Sequence, residues 1–306
     1  MSLVDVRALK EDERIQIVTI SGKETRNSLD KNSLKLLASA FILANEEEEN
    51  KKNTKARCII LTGDGDEAFS SGINLLAAKD VFQTSEFDYD SDVVHAMEKC
   101  HVPIVCVVNG IAINAGFEIA LAADIVLVTK NAVFIDTHMD LGLLPSWGLS
   151  TKLPRAVGAS NAKLASVFGE ALSGGDAVRF GLAQVKVFES KSEAMTEAIR
   201  LAKQMMEKSR STERARVALD IIDKGWEKSY GEARKIEREK AFAQYKTLPL
   251  DEMFKTPRIS GRGKMRFLLT HIWILVAYSR LGGYRRNFQE RLASPTRSWR
   301  AFSVKR

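Results

Sequence analysis

Cysteine is scarce in this chain, and the three that occur, Cys58, Cys100 and Cys106, sit in apolar surroundings without metal-site spacing. They read as buried, reduced thiols, which excludes a disulfide scaffold and points to an intracellular protein. No apolar run reaches the ~18–20 residues of a membrane span. The opening residues, Met1-Ser2-Leu3-Val4-Asp5-Val6-Arg7, hold neither an apolar signal core nor an Arg/Ser-rich presequence. Over most of the chain there is no excess of basic charge either. The formal charge of +7 comes from residues 264–306, with ten Lys/Arg against one Asp/Glu, which leaves 36 basic and 38 acidic groups before them. A nearly neutral body argues against nucleic acid as the partner. At 306 residues, 45% apolar and 28% charged, the composition is that of a globular protein with a sizeable core.

What is present is organised around residues 101–118. Val102 to Val108 is an apolar run of strand length and β-branched content, broken by Asn109-Gly110. A small-residue segment, Ala112 to Gly116, leads into a helical pattern over 117–123. Glu118 is the only formally charged residue between Lys99 and Asp124. A lone carboxylate in apolar surroundings is costly to ionise, so its pKa should rise towards the range useful for proton transfer. Ala115 and Gly116 present backbone N–H groups at a helix start, where negative charge is stabilised. Two readings stand on these residues: enolate chemistry, or a buried strand–turn–helix with a paired structural glutamate.

Elsewhere, alternation over 13–20 predicts a strand, followed by a polar loop with Lys23 and Arg26. Ser28 is the expected cap of a helix whose apolar face carries Leu29, Leu36, Leu37, Ala40, Phe41 and Ala44. A buried strand is expected over 57–62 and a loop through Ser71-Gly72-Ile73-Asn74. A surface loop follows over 79–91, then a helix over 92–100. Strands are predicted over 124–129, 132–135 and 182–188, and helices over 149–158, 160–169, 176–181, 191–209, 212–224 and 229–246. The order strand–strand–helix followed by helices predicts an α/β core with a helical C-terminal module.

Four separated pieces occur together: Asn27-Ser28-Leu29, the run Phe69 to Leu75, Val108-Asn109-Gly110 with Ala115 to Glu118, and Phe134 with Gly142, Pro145 and Gly148. In this combination the chain resembles the enoyl-CoA hydratase/isomerase (crotonase) superfamily over residues 5–263. The segment Asp136-Thr137-His138 with Pro145 to Ser150 resembles its plant peroxisomal-type branch. The resemblance implies a crotonase-like spiral of ββα units over 1–190 and a helical oligomerisation module over 191–263 that assembles trimers or trimer pairs. Residues 264–306 are then an atypical basic tail, expected to be poorly ordered. The implied substrate is an acyl-CoA thioester, with no metal and no cofactor beyond the coenzyme A of the substrate itself. The implied oxyanion donors are the N–H groups of Ile73 and Ala115. Glu118 matches the first of two glutamates that position water in the hydratases. His138 stands where the second would be, either as a proton-exchanging group or as a structural imidazole bonded to a backbone carbonyl. Nearby, Asp136 and Asp140 are expected to be solvated or capping.

Ser71, Gly72, Asn74 and Gly116 complete the implied substrate contacts. Lys23 and Arg26 are candidates for the CoA phosphates, with plain surface solvation the equal alternative. Trp147 and Phe87 are candidates for the acyl pocket, or for the core. The implied reaction is hydration of a trans-2-enoyl-CoA in fatty acid β-oxidation. Its rivals are another reaction on the same enolate (isomerisation, thioester hydrolysis or decarboxylation), or a weakly catalytic CoA-binding subunit. Nucleic acid is disfavoured further because the first helix runs into Glu46-Glu47-Glu48-Glu49. Membrane association is not expected. The implied location is peroxisomal, although Val304-Lys305-Arg306 is not a peroxisomal address; cytoplasmic location is the alternative.

Overall fold

The computed structural model of the chain describes residues 3–49, 56–82, 89–209 and 212–248. The basic tail and Phe87 therefore lie outside the described residues. Residues up to Lys240 form one compact unit and Ala241 begins a second, described as far as residue 248. In that second unit the rings of Phe242 and Tyr245 lie 5.7 Å apart.

The chain opens with an antiparallel hairpin, Val4–Leu9 (β1) and Asp12–Ile20 (β2), followed by the helix Lys31–Glu49 (α1). A first strand pair, Cys58–Gly63 (β3) and Ala68–Ser70 (β4), precedes the helices Ala78–Phe82 (α2) and Val93–Lys99 (α3). A second pair, Ile104–Val108 (β5) and Ile111–Ile113 (β6), is followed by Ala115–Leu121 (α4). A third, Ile125–Thr129 (β7) and Val133–Ile135 (β8), is followed by Leu149–Val157 (α5) and Ala159–Ser166 (α6). Then come Leu172–Ser173 (β9), Gly174–Phe180 (α7), Val187–Phe188 (β10), Lys191–Ser209 (α8), Thr212–Trp226 (α9) and Tyr230–Tyr245 (α10). Each strand pair contributes one strand to each of two sheets. The larger sheet has the order β1-β2-β3-β5-β7-β10, the smaller β4-β6-β8-β9. Repetition of this step with parallel neighbours makes the expected spiral of ββα units.

Strand alternation divides the interior in two. Ile59, Leu61, Cys106 and Val108 face a core shared with Leu34, Leu37 and Phe41 of α1 and with Phe69, Phe117 and Phe134. The rings of Phe117 and Phe134 stand 4.9 Å apart, and each such buried side chain stabilises by roughly 1.5–3 kcal/mol. Cys58, Ile60, Val105 and Val107 face the other way, onto Ala194, Ala198, Ala202 and Met206 of α8. Alanine at every fourth position puts a smooth stripe on one helix face and lets α8 lie close on the sheet.

Several local expectations need correction. The cap of α1 is Asp30, not Ser28: its Oδ1 accepts the Ser33 N–H at 2.7 Å, and Ser33 Oγ accepts the Asp30 N–H at 2.7 Å. β1 escapes an alternation test because, as an edge strand, it buries only Val4. β4 and β6 are three-residue strands where none was expected, and the strand expected over 182–188 shortens to β10. The surface loop expected from residue 79 instead contains α2 and a turn of 3-10 helix at Tyr89–Ser91. Among the described residues, no helix is long and apolar enough to cross a membrane.

Candidate active site

Three adjacent parallel strands, β4, β6 and β8, end side by side. The residues immediately after them are Ser71 to Asn74, Asn114 to Glu118, and Asp136 to His138. The carboxyl ends of parallel strands are where loops converge on a ligand in open α/β sheets. The sequence order of the spiral thus gathers three distant segments at one edge.

The first segment is held from below by buried asparagines. Asn27 Nδ2 donates to the carbonyls of Asp64, Ala68 and Phe69. Asn109 Oδ1 accepts the Gly63 N–H at 3.0 Å while its Nδ2 donates to Gly65 O and Ala68 O. Lys191 Nζ closes the same turn by donating to Gly63 O at 2.5 Å. Ser70 Oγ donates to Asn27 O and accepts the Gly72 N–H. Gly72 has φ +82°, and a Cβ there would lie 2.6 Å from Ile113 O and 3.5 Å from Ala115 N. Only glycine brings the two segments this close without strain. Leu29 bridges the backbone on either side of Ile73, accepting from Asn74 N–H and donating to Gly72 O. A parallel bridge of this kind turns the Ile73 N–H away from Leu29.

The second segment begins with Asn114, at φ +46° and ψ −109°. This conformation is sparsely populated for any residue with a Cβ and costs on the order of 1–3 kcal/mol. Its side chain is locked against Thr137: Nδ2 donates to Oγ1 at 2.8 Å and Oδ1 accepts the Thr137 N–H at 2.7 Å. The strained residue aims the next peptide, that of Ala115. Among the described residues neither the Ile73 nor the Ala115 N–H meets an acceptor. Gly116 packs directly on the Ser70 carbonyl, which a side chain would obstruct.

Glu118 is 3% exposed. Its Oε1 accepts the N–H of Trp147 at 2.8 Å and that of Leu149 at 3.4 Å, closing the start of α5. Oε2 has no partner among the described residues. Burial pushes the Glu118 carboxyl above its usual range; the Trp147 and Leu149 N–H groups and the charge of His138 pull against it, and Asp136 adds to the rise. His138 is also buried, and its Nδ1 lies 2.7 Å from Asp136 Oδ1. The expectation that Asp136 is solvated or capping is thus corrected: it is 4% exposed and bound to the imidazole. Despite its burial, bonds from the His138 ring, the Ser166 side chain and the His138 N–H hold its carboxyl below the usual range. A structural imidazole tied to a backbone carbonyl is not what is found. Among the described residues no three His, Cys, Asp or Glu side chains gather as a metal site.

Residues 10–248 match the family model described as enoyl-CoA hydratase/isomerase. The chain belongs to this family. It is 34% identical over 264 residues to "probable enoyl-CoA hydratase 1, peroxisomal" of Arabidopsis thaliana, covering 85% of this chain and 95% of that one. It is 28% identical over 201 residues to the short-chain-enoyl-CoA hydratase of Clostridium acetobutylicum, covering 65% of this chain and 74% of that one. Among solved structures, an enoyl-CoA hydratase from Bacillus anthracis matches with a TM-score of 0.70 at 22% identity, over 80% of this chain and 92% of that one. That likeness speaks to the fold.

Within this enoyl-CoA hydratase/isomerase chain, Glu118, His138, Ile73, Ala115, Gly72 and Gly116 come together. Asn74 is more peripheral, its Oδ1 accepting the Leu76 N–H at the start of a 3-10 turn. Ser71 ties its loop to the preceding one by donating to Thr25 O, and its N–H donates to Arg26 O. Lys23 and Arg26 ride on that preceding loop, both exposed. Trp147 reaches Glu118 through its backbone N–H, while its half-buried ring packs on the core. Asn114 and Asp136 were missed. For Asp136 the available signal was its position two residues before His138, which lets one oxygen bond both the ring and the backbone N–H.

Proposed function

We propose that this chain is an enoyl-CoA hydratase, adding water to trans-2-enoyl-CoA in fatty acid β-oxidation. The observation that carries the reading is the pair of N–H groups, Ile73 and Ala115, that meet no acceptor among the described residues, beside the buried pair Glu118 and His138. In the reaction the thioester oxygen sits between the two N–H donors. Glu118 and His138 hold a water on one face of the double bond. As the water oxygen bonds C3, its proton passes to one of the two, the C2–C3 π electrons move towards the thioester oxygen, and the enolate takes a proton at C2 from the other. Donors preorganised for that oxygen act only where charge develops, and each is worth ~3–4 kcal/mol in well-studied enzymes. Proton transfer by a placed side chain adds about 10²–10⁴-fold.

Coenzyme A arrives as part of the substrate, and no resident cofactor or metal takes part. Lys23 and Arg26 meet its phosphates from the loop bordering Ser71. Gly72, Asn74 and Gly116 shape the thioester turn, and Trp147 borders the acyl chain. The helices α8, α9 and α10 support a homotrimer or a pair of trimers, and location in the peroxisome is supported by the name of the Arabidopsis relative.

The test is loss of the conjugated thioester absorbance with crotonyl-CoA and a longer enoyl-CoA. Wild type should hydrate at least one, Glu118→Gln should lose about 10²–10⁴-fold in rate, and His138→Ala should cut it strongly. A wild type that binds CoA thioesters without hydrating them would refute the assignment and direct assays to 3-enoyl isomerisation and thioester hydrolysis.

A further inference from the structure

Asp136 is the charged group at this edge that neither the oxyanion donors nor the Glu118–His138 pair accounts for. It follows β8 directly, and one oxygen, Oδ1, bonds the residue two places on twice: ring Nδ1 at 2.7 Å and backbone N–H at 3.0 Å. An ionised carboxylate only accepts hydrogen bonds, so the ring nitrogen facing it must carry a proton. The Nε2 of His138 then keeps its lone pair while the ring is neutral, and it has no protein partner among the described residues. The ionisable groups that face His138 are Asp136 on its own loop and Glu118 on α4.

Resting on the hydratase reading above, we infer that Asp136 is a positioning residue that fixes His138 as an Nε2 acid/base, in place of the carboxylate the family pattern would put there. A second carboxylate at position 138 would set two anions face to face across the water. The Asp136–His138 unit instead keeps its negative charge on the far side of the ring and offers a neutral lone pair to the substrate. Glu118 Oε2 and His138 Nε2 share one proton. Water gives its proton to whichever is bare, C2 takes one from the other, and the pair ends each turnover with the one proton it began with.

The full chain with crotonyl-CoA as the probe tests this. Asp136→Asn keeps the shape and the acceptor but removes the charge. It should lower kcat on the order of 10²-fold with KM held within about twofold. In a His138→Gln background the same substitution should change kcat by less than about twofold, because there is no longer an imidazole to act through. In the folded wild type, nitrogen NMR of His138, assigned by its loss in His138→Gln, should show the neutral ring protonated on Nδ1.

Wild type that leaves enoyl-CoA thioesters unchanged overturns the hydratase reading. Active wild type with Asp136→Asn at the wild-type kcat overturns this inference alone. An equal loss in the His138→Gln background would make Asp136 merely structural and overturn it too. A neutral ring protonated on Nε2 also overturns it, and that observation requires no variant of Asp136 to fold.

Discussion

Replacing Glu118 by glutamine and by alanine separates its chemical from its structural contribution. Both variants remove the exchangeable proton, so both should lose about 10²–10⁴-fold in kcat, or about 2.7–5.4 kcal/mol of barrier. Their stabilities should differ. Glutamine keeps a side-chain oxygen for the Trp147 N–H at 2.8 Å and the Leu149 N–H at 3.4 Å. Alanine strands the Trp147 N–H at the start of α5, and an orphaned buried donor costs about 1–3 kcal/mol; the longer contact adds little. In a folded unit of this size that loss lowers Tm by about 2–4 °C per kcal/mol. The pH dependence has its own sign. Burial raises the native pKa of Glu118, so the stabilisation of the neutral form is complete below the unfolded value of ~4.3 and is lost as pH rises through the native one. Glutamine cannot ionise and escapes that loss. Thermal melts of wild type, Glu118→Gln and Glu118→Ala between about pH 5 and 8 should therefore show the glutamine variant gaining on wild type as pH rises, with alanine below both. Equal losses for the two variants, or a glutamine-to-wild-type gap that does not grow with pH, would refute this account of Glu118.

Gly72→Ala puts a Cβ against Ile113 O in a left-handed backbone, at a strain of about 1–2 kcal/mol, and must shift the turn that aims the Ile73 N–H. We expect kcat/KM to fall by about 10²–10³, the loss typical of one oxyanion donor, with circular dichroism unchanged. Ala198→Leu forces bulk between α8 and the larger sheet, where Ala198 is fully buried, and should cost about 1–3 kcal/mol in urea unfolding. Burial raises the Cys58 thiol to about 12 and pushes Cys106 further up, while Cys100 is only half-buried. A thiol reagent at mildly alkaline pH should thus label no more than Cys100 in the native chain and all three cysteines after unfolding.

The long elements were legible because their pattern is dense and local. The strand before Asn109 is five buried β-branched or small residues, α1 repeats its apolar face over many turns, and the alanine stripe of α8 lies at helical spacing. The short strands β4 and β6 were not legible. Three residues give no alternation to read, and each is a strand only because its neighbour in the smaller sheet supplies hydrogen bonds. β10 shrank for the same reason, since only two of its residues find partners on β7.

For the site, the sequence by itself determined that Glu118 would be an isolated carboxylate in an apolar setting, that glycine would stand at positions 72 and 116, and that position 138 would hold an imidazole. Those are statements about residue type and near neighbours, and they need no coordinates. Tertiary structure alone decided three other things: that Asp136 is buried on the ring of His138, that Asn114 takes a strained conformation clamped to Thr137, and that Glu118 closes the start of α5. Each depends on a partner brought in from another strand end or helix, or on a burial that two residues of local sequence do not express. Hydrogen-bond direction and desolvation belong to the packed state, and the spiral is what packs these three strand ends together.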